Sequence, residues 1–180
     1  DIDPSELNKN VKVDVGIAGD LRIVLDQLLP EVEGNQHTGW LAHIRNWQED
    51  SSERDILVNY DGKGLIAAQV INDLWKYTNG EAITVTDVGQ HQMLEAQYYP
   101  HRRPSTMLTS GGLGTMGFGF PAAIGAKFGQ PDEEVWAIVG DGGFQMTLCE
   151  LATARQENIN VNIAIINNAF LGMVRQWQEI

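Results

Sequence analysis

Two side chains with oxygen donors each follow an apolar run in the last quarter of the chain. Asp141 lies in a glycine-rich turn after the run Val135–Val139, and Asn168 lies in a turn after the run Val161–Ile166. A carboxylate and an amide oxygen are hard ligands, suited to a Mg²⁺ ion that also holds phosphate groups. The two residues form a candidate magnesium–phosphate site if the fold brings them together.

The segment between these two turns has apolar residues at helical spacing. The spacing predicts a helix from about Phe144 to Gln156, and therefore the strand–helix–strand pattern of a parallel βαβ unit. Such a helix runs about 20 Å along a sheet, and the next strand returns by a similar distance. We therefore expect Asp141 and Asn168 at the carboxyl edge of one parallel sheet, where open α/β sheets bind ligands.

The same alternation of helices and strands begins at Leu65. Helical spacing predicts a helix from Leu65 that ends at Asn79-Gly80. Strands are predicted at Ala82–Thr86 and Thr106–Thr109, with a helix after Pro121. This rhythm is typical of an α/β domain with a doubly wound parallel sheet.

The first third of the chain has a different organisation. Residues 11–17 alternate between apolar and polar or small side chains, which predicts a strand, and Asp20 is a plausible cap for a helix that Pro30 closes. We divide the chain into the end of one domain (1–30), whose other strands would precede residue 1, a linker (31–64) and a second domain (65–180). The chain does not begin with Met and stops inside a predicted helix, so we expect it to be a piece of a longer protein.

Composition limits the classes of partner. The chain has 180 residues, 43% of them hydrophobic, and a formal net charge of −12. A packed core is expected, and the acidic balance argues against nucleic acid and anionic membranes as partners. The one cysteine, Cys149, excludes an intramolecular disulfide, fits a reducing compartment, and is interpreted as a small core residue. No apolar run is long enough to cross a bilayer and no targeting leader is visible; the expected location is the bacterial cytoplasm or a eukaryotic organelle.

A second motif competes for the functional assignment. Gly112–Gly117 satisfies G-x-G-x-x-G, which in a nucleotide-binding module would hold the pyrophosphate of NAD, with Asp141 near the ribose. The glycines can equally serve tight turns and close helix packing. The NAD alternative leaves the Gly-Asp-Gly and Asn-Asn turns with only part of a role, and we therefore favour the metal–diphosphate interpretation.

Two further features fit a phosphate site. Gln90 and His91 come shortly after a predicted strand, where both can donate hydrogen bonds to a phosphate. The amides of Gly142 and Gly143, at the start of the following helix, add a natural anion site. The basic cluster His101–Pro104 is assigned no role.

The Gly-Asp-Gly turn followed by Asn-Asn at this spacing resembles the thiamine diphosphate motif. Together with TDVGQHQM, SGGLGTMGFGFPAAIGA, GDGGFQMTLCELATA and NNAFLGMVRQWQE, it is similar to the catalytic subunits of the acetolactate synthase (acetohydroxyacid synthase) family. The resemblance covers nearly the whole chain. The run Gly172–Trp177 narrows it from thiamine diphosphate enzymes in general to this family.

The resemblance implies a set of site residues. Mg²⁺ would be held by the side chains of Asp141 and Asn168 and by the main-chain carbonyl of Phe170. Met173 and Trp177 would line the substrate channel. Residues 1–30 would be the end of the family's central, Rossmann-like FAD-binding domain. Four residues there match positions that contact FAD: Asp1, Ile2, Asp20 and Leu21. The cofactor-binding positions are Gln90, His91, Gly114, Met116, Gly140, Asp141, Gly142, Gly143, Asn168, Phe170, Leu171, Gly172 and Met173.

The resemblance also implies an activity. Pyruvate would be decarboxylated and joined to a second 2-keto acid (pyruvate or 2-ketobutyrate), giving 2-acetolactate or 2-aceto-2-hydroxybutyrate for valine, leucine and isoleucine biosynthesis. The cofactors would be thiamine diphosphate, Mg²⁺ and FAD, and the partners a homodimer or homotetramer and a small regulatory subunit. No catalytic residue is assigned within this chain, because the family's activating glutamate belongs to an N-terminal domain. The isolated chain is therefore expected to be inactive. Glyoxylate carboligase, sulfoacetaldehyde acetyltransferase and pyruvate oxidase are the alternatives among related enzymes.

Overall fold

The alternation of helices and strands predicted from Leu65 onward is present in the structure. A computed structural model describes residues 1–180 and divides them into two units, Asp1–Glu53 and Arg54–Ile180. The second unit has four strands: β1 (Ile83–Thr86), β2 (Met107–Thr109), β3 (Val135–Gly140) and β4 (Asn162–Ile166). Its helices are α3 (Ala67–Thr78), α4 (Gln90–Tyr98), α5 (Gly119–Gly129), α6 (Asp141–Thr147), α7 (Glu150–Gln156) and α8 (Gly172–Glu179).

The four strands form one parallel sheet in the order β2-β1-β3-β4. The chain passes from β1 outward to β2, and from β3 outward to β4 on the other side. The direction of winding therefore reverses between β1 and β3, which makes their carboxyl ends the switch point where doubly wound sheets bind ligands. In this register Thr86 is opposite Ile138, and Gly140 is opposite Ile166.

Helices cover both faces of the sheet, as a doubly wound fold requires. On one face, Val135, Ala137 and Val139 of β3 belong to a buried cluster with Phe120 and Ile124 of α5. On the other face, Ile138 is buried with Ile71 and Leu74 of α3 and with Tyr99. Alternate residues of β3 are thus apolar on both faces, which is typical of a central parallel strand. The predicted doubly wound parallel α/β fold is confirmed.

A buried polar cluster fixes α4 against β1. The side chain of Glu95 is 0% exposed, and its Oε1 accepts a hydrogen bond from Thr84 Oγ1 at 2.5 Å. The same oxygen lies 2.9 Å from His101 Nε2. Because buried polar groups are costly without partners, these contacts favour one position of α4 on the sheet. The first residues of α4, Gln90 and His91, are thereby placed at the carboxyl end of β1.

The first unit contains α1 (Leu21–Leu28), α2 (Thr38–Glu53) and short 3₁₀ helices at Pro4–Glu6 and Leu29–Glu31. Asp20 caps α1, because its Oδ1 accepts the N–H groups of Arg22 at 2.9 Å and Ile23 at 3.3 Å. The strand predicted at residues 11–17 is wrong. Alternating side chains do not form a strand without a neighbour to share the backbone hydrogen bonds. The N–H of Val13 instead bonds the Asn8 side chain, at 3.0 Å.

Three other details differ from the predictions. The predicted linker, 31–64, contains the 16-residue α2, and the boundary between the two units falls inside it, after Glu53. The helix predicted at about Phe144–Gln156 is two helices, α6 and α7, separated by Leu148 and Cys149, and it begins earlier, at Asp141. Cys149 is exposed rather than in the core, because it lies at this break. None of the helices combines the length and the apolar character needed to cross a membrane.

Candidate functional site

A cavity of about 320 Å³ lies at the switch point between β1 and β3. Its walls come from the turns after β1, β3 and β4 and from the loop between β2 and α5. All of the residues predicted to bind the cofactor line it: Gln90, His91, Gly114, Met116, Gly140, Asp141, Gly142, Gly143, Asn168, Phe170, Leu171, Gly172 and Met173. The remaining lining residues are mostly apolar: Ala67, Val88, Gly89, Leu94, Ile166 and Val174.

The two candidate metal ligands lie where the spacing predicted. Asp141 follows the last residue of β3, and Asn168 lies two residues beyond β4, so both are at the carboxyl edge. Asn168 Oδ1 accepts the N–H of Phe170 at 3.2 Å, which closes a tight turn and leaves this oxygen a second lone pair. The turn also holds Ala169 with φ of 62°, a left-handed conformation that is strained for alanine. Asp141, Asn168 and Phe170 thus face one cavity.

No lysine or arginine lines this cavity, and Asp141 is its one carboxylate. An anionic ligand therefore needs another source of positive charge. The helices α4 and α8 begin at the cavity wall, with Gln90 and Gly172, and the first amides of a helix lack acceptors within the helix. A divalent cation held by Asp141, Asn168 and the Phe170 carbonyl would supply the rest. The site is suited to a diphosphate bound together with a metal ion.

His91 is buried at the floor of the cavity with an unpartnered ring nitrogen. Its Nε2 is enclosed and forms no hydrogen bond within the protein. The ring lies against the backbone of β3: a Cβ at Gly140 would be 3.0 Å from His91 Cε1. Burial lowers the pKa of His91 below its ordinary value, and the nearby carboxylates of Asp87 and Asp141 oppose this shift. A buried nitrogen without a partner, on a residue that lines the cavity, fits a ligand that supplies the missing hydrogen bond.

The lowered pKa of His91 predicts a loss of stability in mild acid. The folded state holds this ring neutral at pH values where the unfolded chain, with a pKa near 6.5, already binds a proton. Stability should therefore fall as the pH drops below about 6.5, by at most about 1.4 kcal/mol per pH unit for this one group. The measurement is urea unfolding at pH 7.5 and 5.5 of the wild type and of His91→Gln, with the exposed His43→Gln as a control. His91→Gln should lose part of the pH dependence; an unchanged pH dependence would contradict the assignment.

The loop between β2 and α5 forms another part of the cavity wall. Gly114 and Met116 line the cavity from this loop, and Met116 is half-buried. The backbone of Gly117 has φ of 85°, which favours glycine at that position. The loop therefore places the apolar side chain of Met116 at the cavity, and the left-handed conformation of Gly117 shapes its backbone.

The two predicted substrate residues occupy different positions on α8. Met173 lines the cavity, whereas Trp177 does not and is 78% exposed. The two are four residues apart and therefore lie on the same face of the helix, with Trp177 one turn further along. Arg175, between them in sequence, stacks its guanidinium 4.4 Å above the Phe170 ring and pairs with Glu179 at 2.6 Å. The stacking of Arg175 on Phe170 packs the Phe170 turn against α8, and Glu179 holds the guanidinium in place.

The first unit has a separate, more open cavity of about 460 Å³. All four residues predicted to contact FAD line it: Asp1, Ile2, Asp20 and Leu21. Ile17, Gly19 and Val24 complete the lining. The structure thus brings together residues that lie about twenty positions apart, and the N–H of Gly19 bonds the carbonyl of Asp1 at 2.9 Å.

The sequence analysis missed two residues near the site. Asp87 is a buried carboxylate directly after β1, and the strand-then-aspartate pattern that identified Asp141 was available for it as well. Gln176 accepts a hydrogen bond from Gln90 Nε2 at 3.3 Å and so connects α4 with α8. The spacing of 86 positions between these two glutamines gives no local signal for that contact.

The topology disfavours NAD at the G-x-G-x-x-G motif. A dinucleotide-binding loop of this kind follows a central strand beside the switch point. Gly112–Gly117 instead follows β2, which is an edge strand of only three residues. Two of its residues, Gly114 and Met116, line the same cavity as the Gly-Asp-Gly turn. The motif is thus part of the wall of the switch-point cavity.

Comparison with known protein families agrees with this geometry. Residues 87–180, just over half of the chain, match the family described as thiamine pyrophosphate enzyme, C-terminal TPP binding domain. The chain belongs to the thiamine pyrophosphate enzyme family. Thiamine pyrophosphate is another name for thiamine diphosphate. The match begins at the residue that follows β1, and it includes every residue that lines the switch-point cavity except Ala67.

Several relatives align with this chain over all or nearly all of its length. The acetolactate synthase large subunit of Lactococcus lactis subsp. lactis (strain IL1403) is 47% identical over 180 residues, which are 99% of this chain and 31% of the relative. Acetolactate synthase isozyme 3 large subunit of Escherichia coli (strain K12) is 43% identical over 185 residues, which cover 100% of this chain and 32% of the relative. The acetolactate synthase of Mycobacterium leprae (strain TN) is 45% identical over 189 residues, which cover 100% of this chain and 29% of the relative. The chain thus spans about three-tenths of the length of these curated relatives.

Proposed function

We propose that the switch-point cavity holds Mg²⁺ and the diphosphate of thiamine diphosphate. Asp141, Asn168 and the Phe170 carbonyl would bind the metal ion, and His91 would donate a hydrogen bond from its unpartnered Nε2 to the diphosphate. Gly114 and Met116 would lie against the rings of the cofactor. The observation that carries the proposal is a single cavity that unites all the expected residues and contains no lysine or arginine. A diphosphate bound there depends on a metal ion and on helix amides for its charge balance.

The proposed division of labour follows from the residues in the site. When bound, thiamine diphosphate acts as an electron sink that permits loss of carbon dioxide from a 2-keto acid. The protein anchors the diphosphate, positions the rings against Met116, and provides an apolar wall from Leu94, Ile166 and Val174. Such a wall excludes water and strengthens electrostatic interactions inside the site. The chain supplies binding and orientation, and we assign it no proton-transferring residue.

We further propose that the chain is part of the catalytic subunit of an acetolactate synthase. The relatives named above carry that name and are 43–47% identical over the whole chain. The substrates would be pyruvate and a second 2-keto acid, pyruvate or 2-ketobutyrate, in branched-chain amino acid biosynthesis. Several relatives are called large subunits, which supports a small regulatory partner. A homodimer or homotetramer, and a location in a bacterial cytoplasm or eukaryotic organelle, complete the proposal.

FAD is the third proposed cofactor, bound by the first unit. The support is that Asp1, Ile2, Asp20 and Leu21 line one cavity there. Met173 and Trp177 are proposed to contact the substrate from α8, with Met173 nearer the cofactor because it lines the cavity. The chain would contribute the end of the FAD-binding domain and most of the diphosphate-binding domain.

The proposal predicts that synthase activity requires more than this chain. The full-length protein should form acetolactate from pyruvate when supplied with thiamine diphosphate and Mg²⁺. The purified 180-residue chain should form none, because no residue of the site is assigned to activate the cofactor. A colorimetric acetolactate assay on both proteins is the measurement. Acetolactate formation by the isolated chain would contradict the proposal that the residue activating the cofactor lies outside these 180 residues.

A substrate screen separates the proposed activity from its relatives. The full-length protein should consume pyruvate, with or without 2-ketobutyrate, and release one carbon dioxide for each product formed. Glyoxylate carboligation, acetyl transfer from sulfoacetaldehyde to phosphate, or oxygen-dependent oxidation of pyruvate would each identify a different thiamine diphosphate enzyme. A product profile dominated by one of these reactions would overturn the acetolactate synthase proposal and leave the cofactor proposal standing.

A further inference from the structure

A second carboxylate lies at the switch point, next to the cavity but outside its lining. Asp87 follows β1 directly, and its side chain is 1% exposed. Burial of an ionised carboxylate is costly unless hydrogen bonds or charges compensate for the lost water. The compensation for Asp87 therefore indicates what this residue does.

The hydrogen bonds to Asp87 come from the main chain of two segments. Its Oδ1 accepts the N–H of Val88 at 2.8 Å and the N–H of Gly117 at 3.1 Å. Its Oδ2 accepts the N–H of Gly119 at 2.8 Å. Gly117 and Gly119 end the loop that enters α5, so both carboxylate oxygens bind that loop to the end of β1. Hydrogen bonds to a charged acceptor are stronger than those between neutral groups.

The segments around Asp87 approach it more closely than a side chain would allow. A Cβ at Gly119 would lie 2.7 Å from the backbone nitrogen of Asp87. A Cβ at Gly143, in the first turn of α6, would collide with Asp87 Oδ1. Asp87 is thus enclosed by β1, by the loop before α5 and by α6.

We propose that Asp87 is a positioning residue that holds the loop 110–118 at the cavity. This loop carries Gly114 and Met116, which line one side of the cavity. The proposal rests on the proposed function, because it treats that side as the binding surface for the thiamine rings. None of these three hydrogen bonds of Asp87 reaches Asp141, Asn168 or Phe170. The hydrogen bonds of Asp87 therefore act on the loop 110–118, and a replacement of the same shape keeps the packing of this side chain against Gly143.

Asp87→Asn is the variant that isolates this role. Asparagine has the same shape but presents an NH₂ group to one of the backbone donors, so the bond to Gly117 or to Gly119 is lost. Hydrogen exchange at these two amides in the full-length protein should accelerate at least about tenfold, equivalent to about 1.4 kcal/mol. The dissociation constant for thiamine diphosphate with Mg²⁺ should rise by a similar factor. The dissociation constant for magnesium pyrophosphate, which lacks the rings, should stay within about twofold, as expected for an unlinked site.

Asp73→Asn is the matched control, because Asp73 is exposed on α3 and bonds only neighbouring side chains. It should change none of the three measurements. Equal weakening of thiamine diphosphate and pyrophosphate by Asp87→Asn would indicate general damage and overturn the proposal, and so would no change in either ligand. If the wild type binds neither ligand, the proposed function fails, and hydrogen exchange alone decides whether Asp87 holds the loop.

The wild-type protein provides a test that needs no variant. The amides of Gly117 and Gly119 bond a buried carboxylate, whereas the neighbouring Leu113 is almost fully exposed. Without ligand, Gly117 and Gly119 should exchange at least about tenfold more slowly than Leu113. Equal exchange rates would overturn the proposal even if Asp87→Asn failed to fold.

Discussion

Asp141→Ala should abolish Mg²⁺-dependent activity in the full-length protein. Asp141 is the one carboxylate that lines the cavity, and no lysine or arginine there can replace the metal ion as a source of positive charge. Without a bound cation, the phosphates of the cofactor would face only helix amides and His91. The loss in kcat/KM for pyruvate should exceed the roughly 10–100-fold that follows removal of residues which only support a metal ligand.

The measurement is acetolactate formation as a function of Mg²⁺ and of thiamine diphosphate concentration. Asp132→Ala provides a matched control, because Asp132 is an exposed aspartate in the turn before β3, at the opposite edge of the sheet. The control should retain wild-type rates. Wild-type Mg²⁺ dependence in Asp141→Ala would show that the metal ion is held elsewhere.

Gly143→Ala should destabilise the second unit, whereas Gly142→Ala should not. A methyl group at Gly143 would collide with the buried carboxylate of Asp87, which is fixed by three backbone hydrogen bonds. Forcing an extra methyl group into a filled interior costs about 1–3 kcal/mol. At Gly142 the nearest atom would be Leu171 Cδ2 at 3.5 Å, an ordinary contact. There the helix propensity of alanine favours a gain of up to about 1 kcal/mol.

The pair is informative because both positions lie in the first turn of α6 and both line the cavity. Urea unfolding of the two variants without ligand separates the packing effect from any effect on binding. Equal stability of Gly143→Ala and Gly142→Ala would mean that Asp87 is free to move away from Gly143, which would also weaken the positioning role argued for Asp87.

Much of the second unit was accessible from the sequence because its local signals agree with one another. The runs Ala82–Thr86, Val135–Val139 and Val161–Ile166 each became a strand within one residue at either end. A parallel arrangement of those strands is enough to bring Asp141 and Asn168 to one edge. The resemblance to a family then supplied residues that spacing could not, such as Gly114 and Met116. Every position that it implies for thiamine diphosphate lines the same cavity, whereas Trp177 lies outside it.

The remaining features depend on contacts that no local pattern encodes. Residues 11–17 have the alternation of a strand, but in this chain no neighbouring strand shares their hydrogen bonds. The break between α6 and α7 exposes Cys149, although the apolar spacing runs through it. The role of Asp87 depends on its three main-chain donors, and two of them, Gly117 and Gly119, lie thirty or more positions away in the sequence. Such groups become visible only once the loops are placed.

Calorimetric titration of the full-length protein with thiamine diphosphate tests the central claim most directly. The account predicts binding with Mg²⁺ present, loss of binding when the metal is chelated, and loss in Asp141→Ala even at high Mg²⁺. It also predicts no competition by NAD, because the G-x-G-x-x-G loop follows the short edge strand β2 and lacks the position of a dinucleotide-binding loop. Binding of NAD that needs no Mg²⁺ and is unchanged in Asp141→Ala, with no binding of thiamine diphosphate, would contradict it.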